Sequence, residues 1–394
     1  RWADPKPDGS FGGRLGGYGP INCSGIQGFL GLSLAQKAGV KNPIVDAAIE
    51  RQRKFFGHWA FRGGIHYGEM PYGIASSPSD RNGVHALTAL ALGLQEGDEK
   101  KIKSCEKKAK YFVGMTALAG YQNRGYAHGG PFFGQVWQPL GAAQGGVKTA
   151  HVRFNEIRWH LDLKRHPDHS RIHDPTNNKY KGFSNAATAL LLYALPLKQL
   201  YITGRGQRES LQLTDAEFKS ILPAKNYDAA SKTTEELIAA LGQAWGMLRA
   251  PAADELSKRI KAEPDDPESA ATVDKLLALA ADSTAGPTAR TGACKVFQVL
   301  KNKSGDPENA TDQKIVKKMV SLLKDPDPYI RFGAVRVMQA FNPAFSQIAI
   351  KPYANDILDA IIATGRPTFP FDEEDPCQWA HSEMGDLLFK NVLA

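Results

Sequence analysis

Hydrophobic and polar positions divide the first half of the chain into two kinds of segment that alternate. Segments of the first kind are apolar nearly all round and rich in small residues, which is typical of helices buried on every side. They begin at four positions, Asn22, Asp80, Phe132 and Phe183. Segments of the second kind alternate charged and apolar residues at helical spacing, which predicts helices with one face in water. These begin at three positions, Pro43, Asp98 and Ala150.

A glycine-rich loop with aromatic and polar residues precedes each apolar segment. The four loops span residues 8–20, 61–78, 121–131 and 174–182, and the apolar segments start 58, 52 and 51 residues apart. A period of about fifty residues is typical of helical repeat proteins. We therefore predict αα-hairpins, each with an inner buried helix and an outer amphipathic one, that close into a ring with all the loops at one end.

The second half contains a different repeat. The segment from Val273 aligns with the segment from Val316, and the alignment places Arg290 opposite Arg331 and Gly292 opposite Gly333. An Asp-Pro turn followed by Arg and Gly-Ala-Val resembles the HEAT repeat, a pair of antiparallel helices. This resemblance implies a helical solenoid that binds partners or packs against a neighbouring domain, since catalysis by HEAT repeats is rare.

Charge and composition change near residue 206. Residues 1–206 contain 27 Lys and Arg against 14 Asp and Glu, while residues 207–394 contain 22 against 27. The first part also holds 30 of the 38 glycines and nine of the ten histidines. We therefore predict an all-α protein with an α/α toroid over 1–206, a connecting helical segment over 207–265 and HEAT-like repeats over 266–394.

The second loop and the helix start that follows it carry the first group of candidate catalytic residues. These are His66, Tyr67, Glu69, Asp80, Arg81 and Asn82. Glu69 and Asp80 are the carboxylate pair that a glycoside hydrolase needs, whereas Tyr67 with Arg81 would serve a lyase as base and charge neutraliser. The alternative is that these side chains only hydrogen-bond a loop with few backbone partners.

The third loop carries a second group within six residues. It consists of Asn123, Arg124, Tyr126 and His128. In eliminative cleavage of a uronate sugar, Asn or Arg binds the carboxylate while Tyr or His removes the adjacent proton. Trp137, in the helix that follows, is a candidate for stacking on a sugar ring, with packing in the core as the alternative.

Other kinds of site are less well supported by the sequence. His166, His169 and His173 have some of the spacing of metal ligands, but Pro167 interrupts the helix and no fixed metal signature is matched, so no cofactor is predicted. The four cysteines form no CxxC motif, and no phosphate-binding glycine motif is present. We expect no nucleic-acid partner and no membrane span, because the cations are spread over outer helices and no apolar run reaches about 18 residues.

The DGSFGG and GYG stretches from Asp8, followed by a small-residue helix, resemble the α,α-toroid superfamily. That superfamily includes terpene cyclases, protein prenyltransferase β-subunits and toroidal polysaccharide lyases. The DxDD acid motif of the cyclases is absent, since the only adjacent aspartates are Asp265 and Asp266. The resemblance to hyaluronate and chondroitin lyases implies that Tyr18 is a catalytic tyrosine and places Arg14 near the position of the catalytic histidine.

The combination of toroid and HEAT-like repeats is similar to a family of bacterial proteins, many of them exported. The start of the chain at Arg1 and not at Met leads us to expect an upstream segment. The similarity to exported proteins implies a periplasmic or extracellular location. The predicted function is cleavage of an anionic polysaccharide, by elimination or hydrolysis, in a funnel where the inner helices begin. Asn22 and Arg14 join the arginines and asparagines above as candidate substrate-binding residues. The alternative is a non-catalytic scaffold that binds a glycan or a protein and docks a partner through the HEAT-like region.

Overall fold

The computed structural model describes residues 22–65, 82–118, 131–165, 186–243, 245–264, 266–300, 309–341 and 346–364, together with residues 167 and 387. Every regular element within these ranges is a helix, which confirms the predicted all-α class. The chain divides into two compact units between Asn226 and Tyr227. We describe each unit by itself.

The described part of the first unit contains eight α-helices. They are α1 (Asn22–Lys37), α2 (Pro43–His58), α3 (Asn82–Gly93), α4 (Glu99–Ala117), α5 (Pro131–Ala143), α6 (Val147–Leu163), α7 (Ala186–Tyr193) and α8 (Asp215–Ile221). Short 3₁₀ turns at Leu195–Leu197, Tyr201–Thr203, Glu209–Leu211 and Leu222–Ala224 connect the last of them.

Sequence signals at the helix starts explain several of these boundaries. The side chain of Asn42 accepts a hydrogen bond of 2.8 Å from the backbone N–H of Ile44, and Pro43 is the first residue of α2. Asp98 caps α4 in the same way, through the N–H of Lys101. Both caps satisfy N–H groups that have no partner inside the helix.

Successive helices of the first unit pack as hairpins. In the first hairpin, Phe29 of α1 stacks on Phe56 of α2 with ring centroids 6.0 Å apart. In the third, the Thr149 hydroxyl of α6 donates to the Ala142 carbonyl of α5 at 2.7 Å. The inner helices also contact one another in the order α1, α3, α5, α7.

The inner helices differ in how completely they are covered. Residues 83–92 of α3 are all buried, as the apolar sequence predicts. By contrast, one face of α7 is exposed, with Leu190 72% accessible. The prediction that all four inner helices are buried is therefore wrong for α7, because composition shows that a face is apolar and not whether a neighbour covers it.

Among its described residues, the second unit contains seven α-helices. They are α9 (Thr234–Leu241), α10 (Gly246–Ala262), α11 (Pro267–Ala281), α12 (Pro287–Leu300), α13 (Ala310–Ser321), α14 (Pro328–Met338) and α15 (Ala354–Thr364). Short turns lie at Ala229–Ser231, Leu322–Lys324 and Lys351–Tyr353, and a π-helical turn lies at Ser346–Ile350. Helices α9 to α14 pack as three consecutive pairs, and α10, α12 and α14 contact one another in sequence order.

Candidate functional site

The C-terminal ends of the first two inner helices lie together. Gln95, just after α3, donates through Nε2 to the Ser33 hydroxyl in the last turns of α1 at 3.0 Å. One residue further on, Glu96 forms an ion pair with Lys37, the last residue of α1. These contacts show that α1 and α3 end on the same side of the first unit.

A later segment links the end of α3 to the end of α5. Arg208 donates through Nη1 to the Gln95 carbonyl at 3.0 Å, and the neighbouring Gln207 side chain donates to the carbonyl of Gln144, just after α5. Because α1, α3 and α5 all end on this side, all three begin on the opposite side. We call that opposite side the loop end, since the predicted glycine-rich loops lead into it.

Residues 61–65, which we call the loop stem, are held at the loop end by two inward side chains. The backbone N–H of Ile65 donates to Nε2 of His85, in the first turns of α3, at 3.0 Å. The Tyr111 hydroxyl of α4 donates to the Gly63 carbonyl at 3.1 Å. His85 and Tyr111 are both buried, so the start of the second predicted loop is fixed against the hairpin that follows it.

Backbone conformation in the stem is unusual. Phe61 has φ of +65°, the left-handed region that a non-glycine residue rarely adopts. Its ring packs against Tyr111 with centroids 4.9 Å apart, and the Lys107 ammonium lies 5.5 Å from its centroid. These contacts stabilise a conformation that the sequence pattern does not signal.

Buried polar side chains also lie between α5 and α6. Gln135, one turn into α5, lies 3.5 Å from His160 of α6 through their side-chain nitrogens. Arg153, about two turns before His160 on α6, is fully buried. Sequence reasoning treated α6 only as an outer amphipathic helix and missed these residues. The available signal was their spacing, because Arg153, Ile157 and His160 recur at intervals of four and three on the face that packs inward.

Only three of the predicted site residues lie within the described ranges. Asn22 is the first residue of α1 and is 1% exposed, Asn82 is the first residue of α3, and Trp137 of α5 is half-buried. Asn22 and Asn82 are at the loop end, whereas Trp137 is in the middle of α5. The others lie outside the described residues, so their roles stay predictions: Arg14, Tyr18, His66, Tyr67, Glu69, Asp80, Arg81, Asn123, Arg124, Tyr126 and His128.

The predicted histidine cluster, His166, His169 and His173, lies outside the described residues as well. Within the described ranges, no group of three or more His, Cys, Asp or Glu residues is arranged to hold a metal ion. Over the same ranges, no helix has the length and apolar character needed to cross a bilayer.

Among the described residues, the two largest shifts in side-chain pKa occur where side chains pair or pack between helices. A hydrogen bond from Arg53 lowers the pKa of Glu50, on the outer helix α2, to about 2. Burial raises the pKa of the Cys294 thiol, in the core of the second unit, to about 12. These shifts reflect an ion pair and an apolar environment respectively. Neither residue belongs to a segment that leads into an inner helix.

Residues 3–204 match the model of a protein family described as Domain of unknown function (DUF6288). The matched region covers just over half of the chain and includes the four predicted loops and α1 to α7. Comparisons with curated proteins and with solved structures give no match.

Proposed function

This chain belongs to the DUF6288 family, which is defined by a domain of unknown function, and from that premise we propose that the loop end of the first unit binds and cleaves an anionic polysaccharide. The observation that carries the proposal is the common direction of α1, α3 and α5. Their N-terminal ends present N–H groups that have no partner within the helix, and the positive ends of their dipoles favour a negatively charged ligand.

The loops that lead into these helix starts add cations and acid/base groups. Arg14, Arg81 and Arg124 lie in or beside loops that precede inner helices, and Arg62 lies in the loop stem. Arginine binds carboxylate and sulfate groups through paired hydrogen bonds, so these four residues are suited to a uronic or sulfated sugar. We infer that charge selects the substrate.

We assign cleavage to groups in the same loops. For β-elimination, Tyr18, Tyr67, Tyr126, His66 or His128 removes the proton beside the uronate carboxylate, while Asn82, Asn123 and the arginines stabilise the negative charge that develops. For hydrolysis, Glu69 and Asp80 act as the carboxylate pair. Asn22 and Trp137 complete the substrate-binding set.

The finer architecture is part of the same proposal. In the first unit, the hairpin series of α1 to α7 supports an α/α toroid or partial toroid, with α1 and α7 at the two edges of the inner-helix series. In the second unit, Arg290 donates to the carbonyl of Ala280, in the last turn of α11, and Arg331 donates to the carbonyl of Asp325, just after the 3₁₀ turn that follows α13. The two aligned arginines therefore both hydrogen-bond the chain that precedes their own helix. We infer HEAT-like repeats there, with a partner-docking role, and an exported protein.

The proposal is tested by incubating the full chain with uronic and sulfated polysaccharides. Ultraviolet absorbance detects the unsaturated products of elimination, and a reducing-end assay detects hydrolysis as well. We expect one of these signals with at least one anionic polysaccharide and none with neutral glucans. Binding without either signal would contradict cleavage and favour the non-catalytic scaffold.

A matched pair of variants separates the loop end from general basic charge. Arg81→Ala with Arg124→Ala removes two positive charges from the predicted loops, and Lys100→Ala with Lys103→Ala removes two from the exposed face of α4. We expect the arginine variant to weaken polysaccharide binding about 10-fold to 100-fold and the lysine variant to leave it nearly unchanged. Equal losses in both variants would overturn the assignment.

A further inference from the structure

One side of α7 carries an apolar stripe that the structure leaves open. Leu190, Tyr193 and Leu197 follow one another at intervals of three and four, so they project from the same side of α7 and the 3₁₀ turn after it. They are 72%, 53% and 65% exposed. Side chains this exposed protrude into solvent and do not line a groove.

A second stripe, on α6, lies next to the first. Trp159 and Leu163 are one helical turn apart and are 48% and 76% exposed. The Tyr193 hydroxyl of α7 donates to Oδ1 of Asp162 at 3.0 Å, which brings the end of α6 beside α7. Together these residues form what we call the α6–α7 apolar face: Trp159, Leu163, Leu190, Tyr193 and Leu197.

The size of this face marks it as an interaction surface. The five side chains expose on the order of 600 Å², at the upper limit for the largest apolar patch of a typical monomer. The exposed residues of α1, at the other edge of the inner-helix series, are the small or polar Ser24, Gln27 and Gly31. A polar outer face is what protects a terminal repeat from association, and α7 lacks one.

The charged residues around the α6–α7 apolar face indicate which kind of partner binds there. Lys198 and Arg205 are exposed on the turns that follow α7, whereas Arg158 and Asp162 of α6 lie 3.6 Å apart and offset each other's charge. A second copy of this chain would bring the same positive groups against these ones, which opposes self-association. A partner with a negatively charged surface and an apolar interior matches both the exposed cations and the α6–α7 apolar face.

We propose that the α6–α7 apolar face binds the surface of an anionic lipid bilayer. Protruding leucines enter the acyl boundary, and Trp159 and Tyr193 suit the interface because each combines an apolar ring with a polar tip. The exposed cations contact lipid phosphates. This interaction is peripheral and is independent of the polysaccharide site.

Co-sedimentation of the full chain with lipid vesicles tests the proposal. We expect binding to vesicles that contain phosphatidylglycerol, weaker binding at high salt and little binding to phosphatidylcholine alone. Leu190→Glu with Leu197→Glu should raise the apparent Kd on the order of 100-fold, since two apolar insertions are lost and two negative charges are added. Because both positions are exposed, thermal unfolding should confirm that the variant folds.

Ile44→Glu is the matched control. Ile44 lies on α2 of the same unit and is 73% exposed, so this variant makes the same kind of change away from the face. Unchanged vesicle binding by Ile44→Glu, with loss in the leucine variant, supports the proposal. No binding by the wild type, or equal effects in the two variants, overturns it. A wild-type dimer that the leucine variant dissociates would also overturn it, by showing a second copy to be the occupant.

Discussion

His85 connects the predicted loop to the helix behind it through one ring nitrogen. Because Nε2 accepts from the Ile65 N–H, that nitrogen carries no proton when the contact is formed. Ile65 is 1% exposed, so its N–H has no access to bulk water. The stem therefore depends on an acceptor at this position.

Replacement of His85 tests that dependence. His85→Leu leaves a buried donor without its acceptor and should lower the free energy of unfolding by about 1–3 kcal/mol, whereas His85→Gln offers a carbonyl oxygen near the position of Nε2 and should recover part of it. Urea unfolding measures both variants. Equal destabilisation would show that ring packing on Phe112, and not the hydrogen bond, matters here.

At the residue scale, the sequence places His85 close to the candidate site residues, but it does not predict that His85 accepts a hydrogen bond from Ile65. It lies three residues after Asn82, within a helix start already rich in polar residues. Its contact with Ile65 requires a chain reversal in which Phe61 has a positive φ, and bulky residues give no sequence signal for that conformation. The same limit applies to Gln135 and His160, which meet through packing between helices.

At the element scale, close approach of α3 and α5 depends on a glycine. A Cβ at Gly141 would lie 2.6 Å from both Cα and Cβ of Ala86, which is closer than packed atoms allow. By contrast, a Cβ at Gly31 of α1 would meet nothing within 4 Å. Close packing of α3 on α5 therefore requires glycine at position 141, whereas no packed neighbour requires it at position 31.

Alanine at these two positions should have opposite effects. Gly31→Ala should stabilise the protein by about 0.5–1 kcal/mol, because alanine restricts the unfolded chain and favours helix. Gly141→Ala should destabilise it by about 1–3 kcal/mol, because the two helices must separate. Thermal and urea unfolding give the sign of each change. Stabilisation by both substitutions would contradict the close packing of α3 on α5.

Periodicity predicted the helices themselves well. Each of the seven segments predicted in the first half contains a helix, because alternation of apolar and charged positions reflects which side of an element meets water. Burial of α7 was predicted wrongly from the same information. Its sequence is as apolar as that of α3, and only the position of neighbouring elements separates a core helix from an exposed edge.

At the scale of the whole molecule, the segment after the change in charge packs on the first unit. Leu211 is 1% exposed and contacts the end of α3, and Glu217 accepts from Lys110 at 3.0 Å. Lys225 pairs with Glu156 of α6. Composition changes near residue 206, but the compact unit extends to Asn226 because packing and not charge sets its limit.

Two fragments test this extension. A fragment of residues 1–226 should unfold cooperatively, while residues 1–206 should be less stable by about 3 kcal/mol or more, since the removal of Leu211 and Ile221 exposes apolar surface on the remaining helices. Circular dichroism during urea unfolding compares the two. Equal stability would show that residues 207–226 add nothing to the first unit.

The contacts of Arg208 also constrain how the first unit is made during synthesis. Arg208 lies 102 residues after Glu106 and 113 after Gln95, both of which its guanidinium contacts. Each hairpin is local in sequence and can form as soon as its two helices leave the ribosome, but these closing contacts have high contact order and must wait for the chain beyond α7. Until Arg208 emerges, the ends of α3 and α5 lack their link, so nascent chains stalled before that residue should be more sensitive to protease than those stalled after it.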